Sequence, residues 1–92
     1  MHAVVVTVKI APDRFEESQK ALKEQVVPRV RQAPGLVKGF WTVSPDKTKG
    51  LSMVVFQSQQ QAETAANGVR NNPLPPGVTL DTMEIREIVA EA

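Results

Sequence analysis

The chain has 92 residues, with eleven Lys and Arg against ten Asp and Glu, one His and no Cys. A chain of this length is expected to form one domain, 1–92, with a thin core. Its interspersed charges form no basic stripe for nucleic acid, and without cysteine there is no disulfide framework, thiolate metal site or thiol nucleophile.

Residues 3–10 place Val4, Val6, Val8 and Ile10 on one face and Val5, Thr7 and Lys9 on the other, which predicts a strand with one wholly apolar side. The stretch lacks the basic region and cleavage site of an export signal, and no later apolar run approaches the roughly 20 residues of a membrane span. A cytoplasmic protein with no membrane partner is expected. Beyond Ala11, Pro12 and Asp13 the period lengthens. Phe15, Leu22, Val26 and Val30 recur at helical spacing, with Glu16, Glu17, Lys20, Lys23 and Glu24 on the other side. The early acids and the late Arg29 and Arg31 suit the helix dipole. Pro28 offers no N–H to the Glu24 carbonyl, so a kink or break is expected over 24–27. Such a kink either lets the last turn follow a twisted sheet or opens a gap between helix and sheet.

Ala33, Pro34 and Gly35 stop the helix, and residues 37–45 read as a second strand, in which Gly39 relieves crowding and which carries Trp41, the only tryptophan. Residues 46–50 form a hairpin loop and 51–58 a third strand that is apolar on both faces. Ser58 is a suitable N-cap for a second helix whose stripe, Ala62, Ala65, Ala66 and Val69, is small enough to lie close to a sheet. Residues 71–77, rich in Asn, Pro and Gly, end it, and 78–89 supply a final strand. The order β-α-β-β-α-β predicts an α+β, ferredoxin-like fold: a four-stranded antiparallel sheet with both helices on one face. The other face would then expose Val5 together with Val54 and Phe56 or their pleat partners. An exposed apolar patch of that kind marks an interface, and a two-fold homodimer is expected to cover it.

Few residues carry chemistry. His2, the sole imidazole, is either a general base or a terminal residue with no task. Trp41 either lines a ligand pocket with its ring and N–H or anchors a core or interface. Asn67 and Arg70 stand three apart on the second helix, as a cation and an amide for an anionic substrate or as a solvated helix end. Glu84 and Arg86 share one face of the last strand and are placed to pair either with each other or across the sheet. One histidine, no cysteine and scattered carboxylates give no metal site. Gly35 and Gly39 lie between a helix and a strand, the reverse of a phosphate-binding loop.

The valine-rich strand at 4–10, the helix ending at 27–35, the Gly39-Phe40-Trp41 strand, the apolar strand at 51–56 and the closing strand at 83–90 together resemble the dimeric α+β barrel superfamily, in particular its antibiotic biosynthesis monooxygenase-like group. The resemblance covers nearly the whole chain, and its most compact signature is the turn and strand from Pro34 to Trp41. It implies a cofactor-independent monooxygenase-like enzyme acting on a small aromatic or polyketide-like substrate in a pocket between sheet and helices. The alternative it implies is a non-catalytic homodimeric barrel that binds a small apolar or aromatic ligand or serves in stress. Haem-degrading members use an Asn on the first strand and an axial His on the second helix. Here the first strand has Val6 and Thr7, and residues 59–72 contain no histidine, so haem degradation is not expected and no cofactor is assigned. The tyrosine of characterised monooxygenases has no counterpart, because the chain contains none.

Overall fold

The computed structural model describes residues 1–92. Strand β1 (His2–Ile10) leads through a 3₁₀ turn at Pro12–Arg14 into α1 (Phe15–Ala21), a π-helical turn (Leu22–Val26) and α2 (Val27–Arg31). Strands β2 (Leu36–Val43) and β3 (Lys49–Phe56), helix α3 (Gln59–Asn71) and strand β4 (Val78–Glu87) complete the expected order. The sheet runs β2-β3-β1-β4, with every neighbouring pair antiparallel.

Local chemistry accounts for the element boundaries. Ser58 caps α3 as expected, its hydroxyl accepting the Gln61 N–H at 3.2 Å. In the β2–β3 hairpin, Asp46 accepts hydrogen bonds from the Ser44 hydroxyl at 2.7 Å, the Thr48 hydroxyl at 2.7 Å and the Thr48 N–H at 3.1 Å. These bonds, the Ser44 one foremost, hold its carboxyl down at about 2. They also close the loop early, so Lys49 and Gly50 lie in β3 and not in the loop expected over 46–50. The last strand ends at Glu87, two residues short of the expected 89, although Ile88 N–H still reaches the Met1 carbonyl at 2.9 Å. Gly35 takes φ +78°, the left-handed geometry of a helix stop, and a Cβ there would lie 1.9 Å from Gln61 Oε1. The Gly35 carbonyl in turn accepts from Gln57 N–H at 2.9 Å, so the Pro34-Gly35 turn is docked on the start of α3.

The register separates the two faces of the sheet. Trp41, Ser52, Val6 and Met83 form one cross-strand row on the helix side, and Gly39, Val54, Val4 and Ile85 form the next. Val4, Val6, Val54 and Phe56 pack with Ala62 and Ala66 as the core, which is thin: only 12 of 92 residues are buried. On the opposite face the corresponding row is Phe40, Met53, Val5 and Glu84. Of the two sequence alternatives for that face, Val54 and Phe56 belong to the core, and their pleat partners Met53 and Val55 join Val5 outside. With β3 apolar on both sides, periodicity could not settle its phase.

The two helical layers sit differently on the sheet. The alanine stripe of α3 brings it close to β1, β3 and β4, whereas 15–31 approaches the strands far less closely. The Val27 N–H bonds to the Leu22 carbonyl, an i→i−5 step, and Pro28 then falls in the first turn of α2, where a missing donor costs little. The break expected over 24–27 is therefore a widened turn in a continuous helical path.

Candidate functional site

The space under 15–31 is a cavity in two compartments, of about 510 and 160 Å³, the larger being of the size that small-molecule sites occupy. Seven residues line both: Val6, Val26, Arg29, Trp41, Ser52, Val69 and Asn72. Trp41 is held in this central place by its own strand. Its ring lies over Gly39, where a Cβ would come within 3.0 Å of Cη2, so the glycine serves as a seat for the indole. The larger compartment runs towards α3, walled by Val4, Val30, Val54, Phe56 and Ala65, with Gln60, Gln61 and Thr64 among its polar groups. The smaller runs towards the hairpin and the 73–75 loop, past Ser18, whose buried hydroxyl is satisfied by the Phe15 carbonyl at 2.7 Å.

Two features set the character of the cavity. Its single charged lining residue is Arg29; no Asp, Glu, Lys or His lines either compartment. Gly68, in the interior of α3, lines the larger compartment, and a Cβ there would meet nothing within 4 Å. A helix-interior glycine costs about 1 kcal/mol relative to alanine, and here no packing demand explains it.

Of the sequence-derived site residues, Trp41 alone lines the two compartments. His2 lies in the row of Phe56 and Glu87, four residues along β1 from the Trp41 row, or about 13 Å at strand spacing. Its Nδ1 is buried without a partner, away from both compartments. Asn67 and Arg70 are both exposed, and Arg70 Nη1 donates to Asn67 Oδ1 at 2.9 Å. They share a side of α3, as their spacing implies, but not the side of the cavity. Gln61, Thr64, Ala65, Gly68, Val69 and Asn72 form the lining stripe, and Asn67 stands about 200° round the helix from Ala65. Glu84 and Arg86 do pair, Arg86 Nε donating to Glu84 Oε1 at 2.8 Å on the exposed opposite face.

Sequence reasoning missed Arg29, Gln61, Gly68 and Asn72. Arg29 did leave a signal, since it follows Leu22 by seven and Val26 by three and so falls on the apolar stripe, where a cation is out of place. Asn72 is tied to its own helix, Nδ2 donating to the Gly68 carbonyl at 2.7 Å.

No family model and no curated sequence matches the chain. Solved structures do match it over essentially its full length. The haem degrader MhuD from Mycobacterium tuberculosis, solved with two haems in its active site, superposes with a TM-score of 0.78 at 13% identity, covering 100% of this chain and 99% of that one. A Streptomyces coelicolor monooxygenase in complex with nanaomycin D gives 0.60 at 17% identity, covering 99% and 92%. A dimeric ferredoxin-like protein from an uncultured marine organism gives 0.65 at 11% identity, covering 100% and 98%. The chain thus shares the ferredoxin-like fold of these proteins.

The haem of one such neighbour finds no fit in this cavity. Neither compartment is lined by histidine, cysteine, methionine or tyrosine, the side chains that serve as axial ligands.

Proposed function

We propose that the protein is a cofactor-independent monooxygenase that oxidises a small aromatic or polyketide-like substrate in the cavity beneath Trp41. The observation that carries this reading is an apolar chamber of about 510 Å³ with an indole wall and one cation, on a fold shared with a monooxygenase solved in complex with nanaomycin D. An electron-rich phenol supplies its own reducing electrons. In the conversion of an anthrone to an anthraquinone, the methylene loses two hydrogens, one atom of O₂ becomes the new carbonyl oxygen and the other leaves as water. The protein's part is to exclude water, stack the ring on Trp41 and stabilise the substrate anion through Arg29.

A second reading has its own observation in support. No side chain that titrates near neutrality lines the cavity, so the chamber suits a non-catalytic ligand-binding barrel equally well in its polar groups.

Oxygen uptake with anthrone and hydroquinone substrates separates the two. Turnover is expected in the native protein, with a loss of at least about tenfold in Trp41→Ala and in Gly68→Leu. The second variant projects a side chain into the larger compartment while raising helix propensity by about 0.7 kcal/mol, so its loss of turnover is not a loss of folding. Binding without uptake by the native protein would identify the binding module instead.

We further propose that a second copy covers the helix-free face of the sheet. Phe40, Leu51 and Met53 are 51%, 43% and 37% exposed there. They form one apolar field with Val5 and Val55, and a neighbour of the same fold is dimeric.

A further inference from the structure

We infer that the cavity selects ligands bearing one acidic group, a carboxylate or an acidic phenol, and that Arg29 is the residue that selects them. The inference rests on the small-molecule reading above and adds to it the charge and orientation of the ligand.

Four observations carry it. Arg29 lines both compartments and is the only charged residue in either. It has no ion-pair partner; the chain's two side-chain ion pairs join Arg14 to Glu17 and Arg86 to Glu84. As a residue it is exposed although it lines both compartments, which places it where they open to solvent, at their mouth. Finally, the carboxylates of 15–31 lie elsewhere: Glu16, Glu17 and Glu24 line neither compartment. An unneutralised guanidinium at the mouth of an apolar chamber disfavours a cationic ligand and offers a planar pair of donors to a carboxylate or phenolate.

The arrangement also fixes which way round the ligand lies. The acid sits at the mouth, where desolvating it costs least, and the apolar body extends inwards past Trp41 towards Val54, Ala65 and Gly68. Arg29 lies in α2, one residue after Pro28, on the same stripe as Leu22 and Val26, which also line the cavity.

The experiment is a titration of the emission of Trp41, the only tryptophan, with anthraquinone-2-carboxylate and its uncharged carboxamide, against native protein, Arg29→Gln and Arg29→Lys. Native protein is expected to bind the carboxylate at least about tenfold more tightly than the carboxamide. Arg29→Gln should bind the two alike, with its carboxamide affinity within about twofold of native, and Arg29→Lys should recover part of the preference. The preference should also shrink with added salt while carboxamide binding does not. Equal affinities in the native protein, or a preference that survives Arg29→Gln, would overturn the charge selection and leave the cavity reading standing. Quenching by neither ligand would overturn the cavity reading itself, and the inference with it.

Discussion

Replacing Phe56 by alanine is expected to remove about 3–5 kcal/mol of stability, a large share of a whole margin of about 5–14 kcal/mol at this length. The size of the effect follows from where the ring sits. Phe56 is 1% exposed at the end of β3, packed with Val4, Val54, Ala62 and Ala66 in a core of few residues. Ala62 and Ala66 are the side chains that let α3 approach the sheet, and being alanines they have nothing to extend into the vacated volume. Phe56 also borders the larger compartment, so the new void opens into an existing cavity and does not collapse. Thermal unfolding followed by circular dichroism should show the midpoint falling by more than about 12 °C. A fall of under about 4 °C would mean that the α3–sheet contact is not the centre of the fold.

Placing a charge on the helix-free face is the second large effect. Met53→Glu is expected to convert a two-fold dimer into a protomer of 10.1 kDa at micromolar concentration, as read by sedimentation equilibrium. Met53 stands between Phe40 and Val5 in the middle row of that face, so a carboxylate there meets its symmetry mate's apolar field and must be desolvated without a partner. In the free protomer the same side chain, already 37% exposed, reaches water at little cost. Dissociation should therefore come with the protomer's fold retained. A native protein that sediments only at 10.1 kDa would remove the dimer, and a Met53→Glu variant that stays dimeric would move the interface to another surface.

The fold was legible in the chain because its signals are local and agree with one another. Alternation in β1, the cap at Ser58, the stop at Gly35 and the alanine stripe of α3 each name an element, and their order leaves one topology. The phase of β3 was not legible, since Leu51, Met53 and Val55 are as apolar as Val54 and Phe56. The cavity was harder still. It exists because one helical segment stands off the sheet while the other does not, and Pro28 announced a disturbance there without saying which way it would resolve. The α3 wall of the cavity is partly polar, formed by Gln61, Thr64, Gly68 and Asn72 as well as Ala65 and Val69. Hydrophobic periodicity finds the face of a helix that meets the core, and it is blind to a face that meets a wet or ligand-filled space. That is why Asn67 and Arg70, polar and correctly spaced for each other, stood out in the sequence although they point elsewhere. Trp41 was found because a unique indole beside a glycine is conspicuous in any reading. Arg29 was passed over because a cation near a helix C-terminus already has an ordinary explanation in the dipole.

These assignments meet in one claim, that the gap beneath 15–31 is a ligand chamber centred on Trp41. The single indole gives a single Nε1–H cross-peak in a ¹H–¹⁵N correlation spectrum, which makes the claim directly measurable. On titration with anthraquinone-2-carboxylate, that peak and the backbone amides of Arg29, Gly39, Gly68 and Val69 should shift together along one saturating curve, while Thr82 and Glu84 on the far side of the sheet stay fixed. Shifts confined to the far side, or an indole peak that does not move at saturation, would contradict the account.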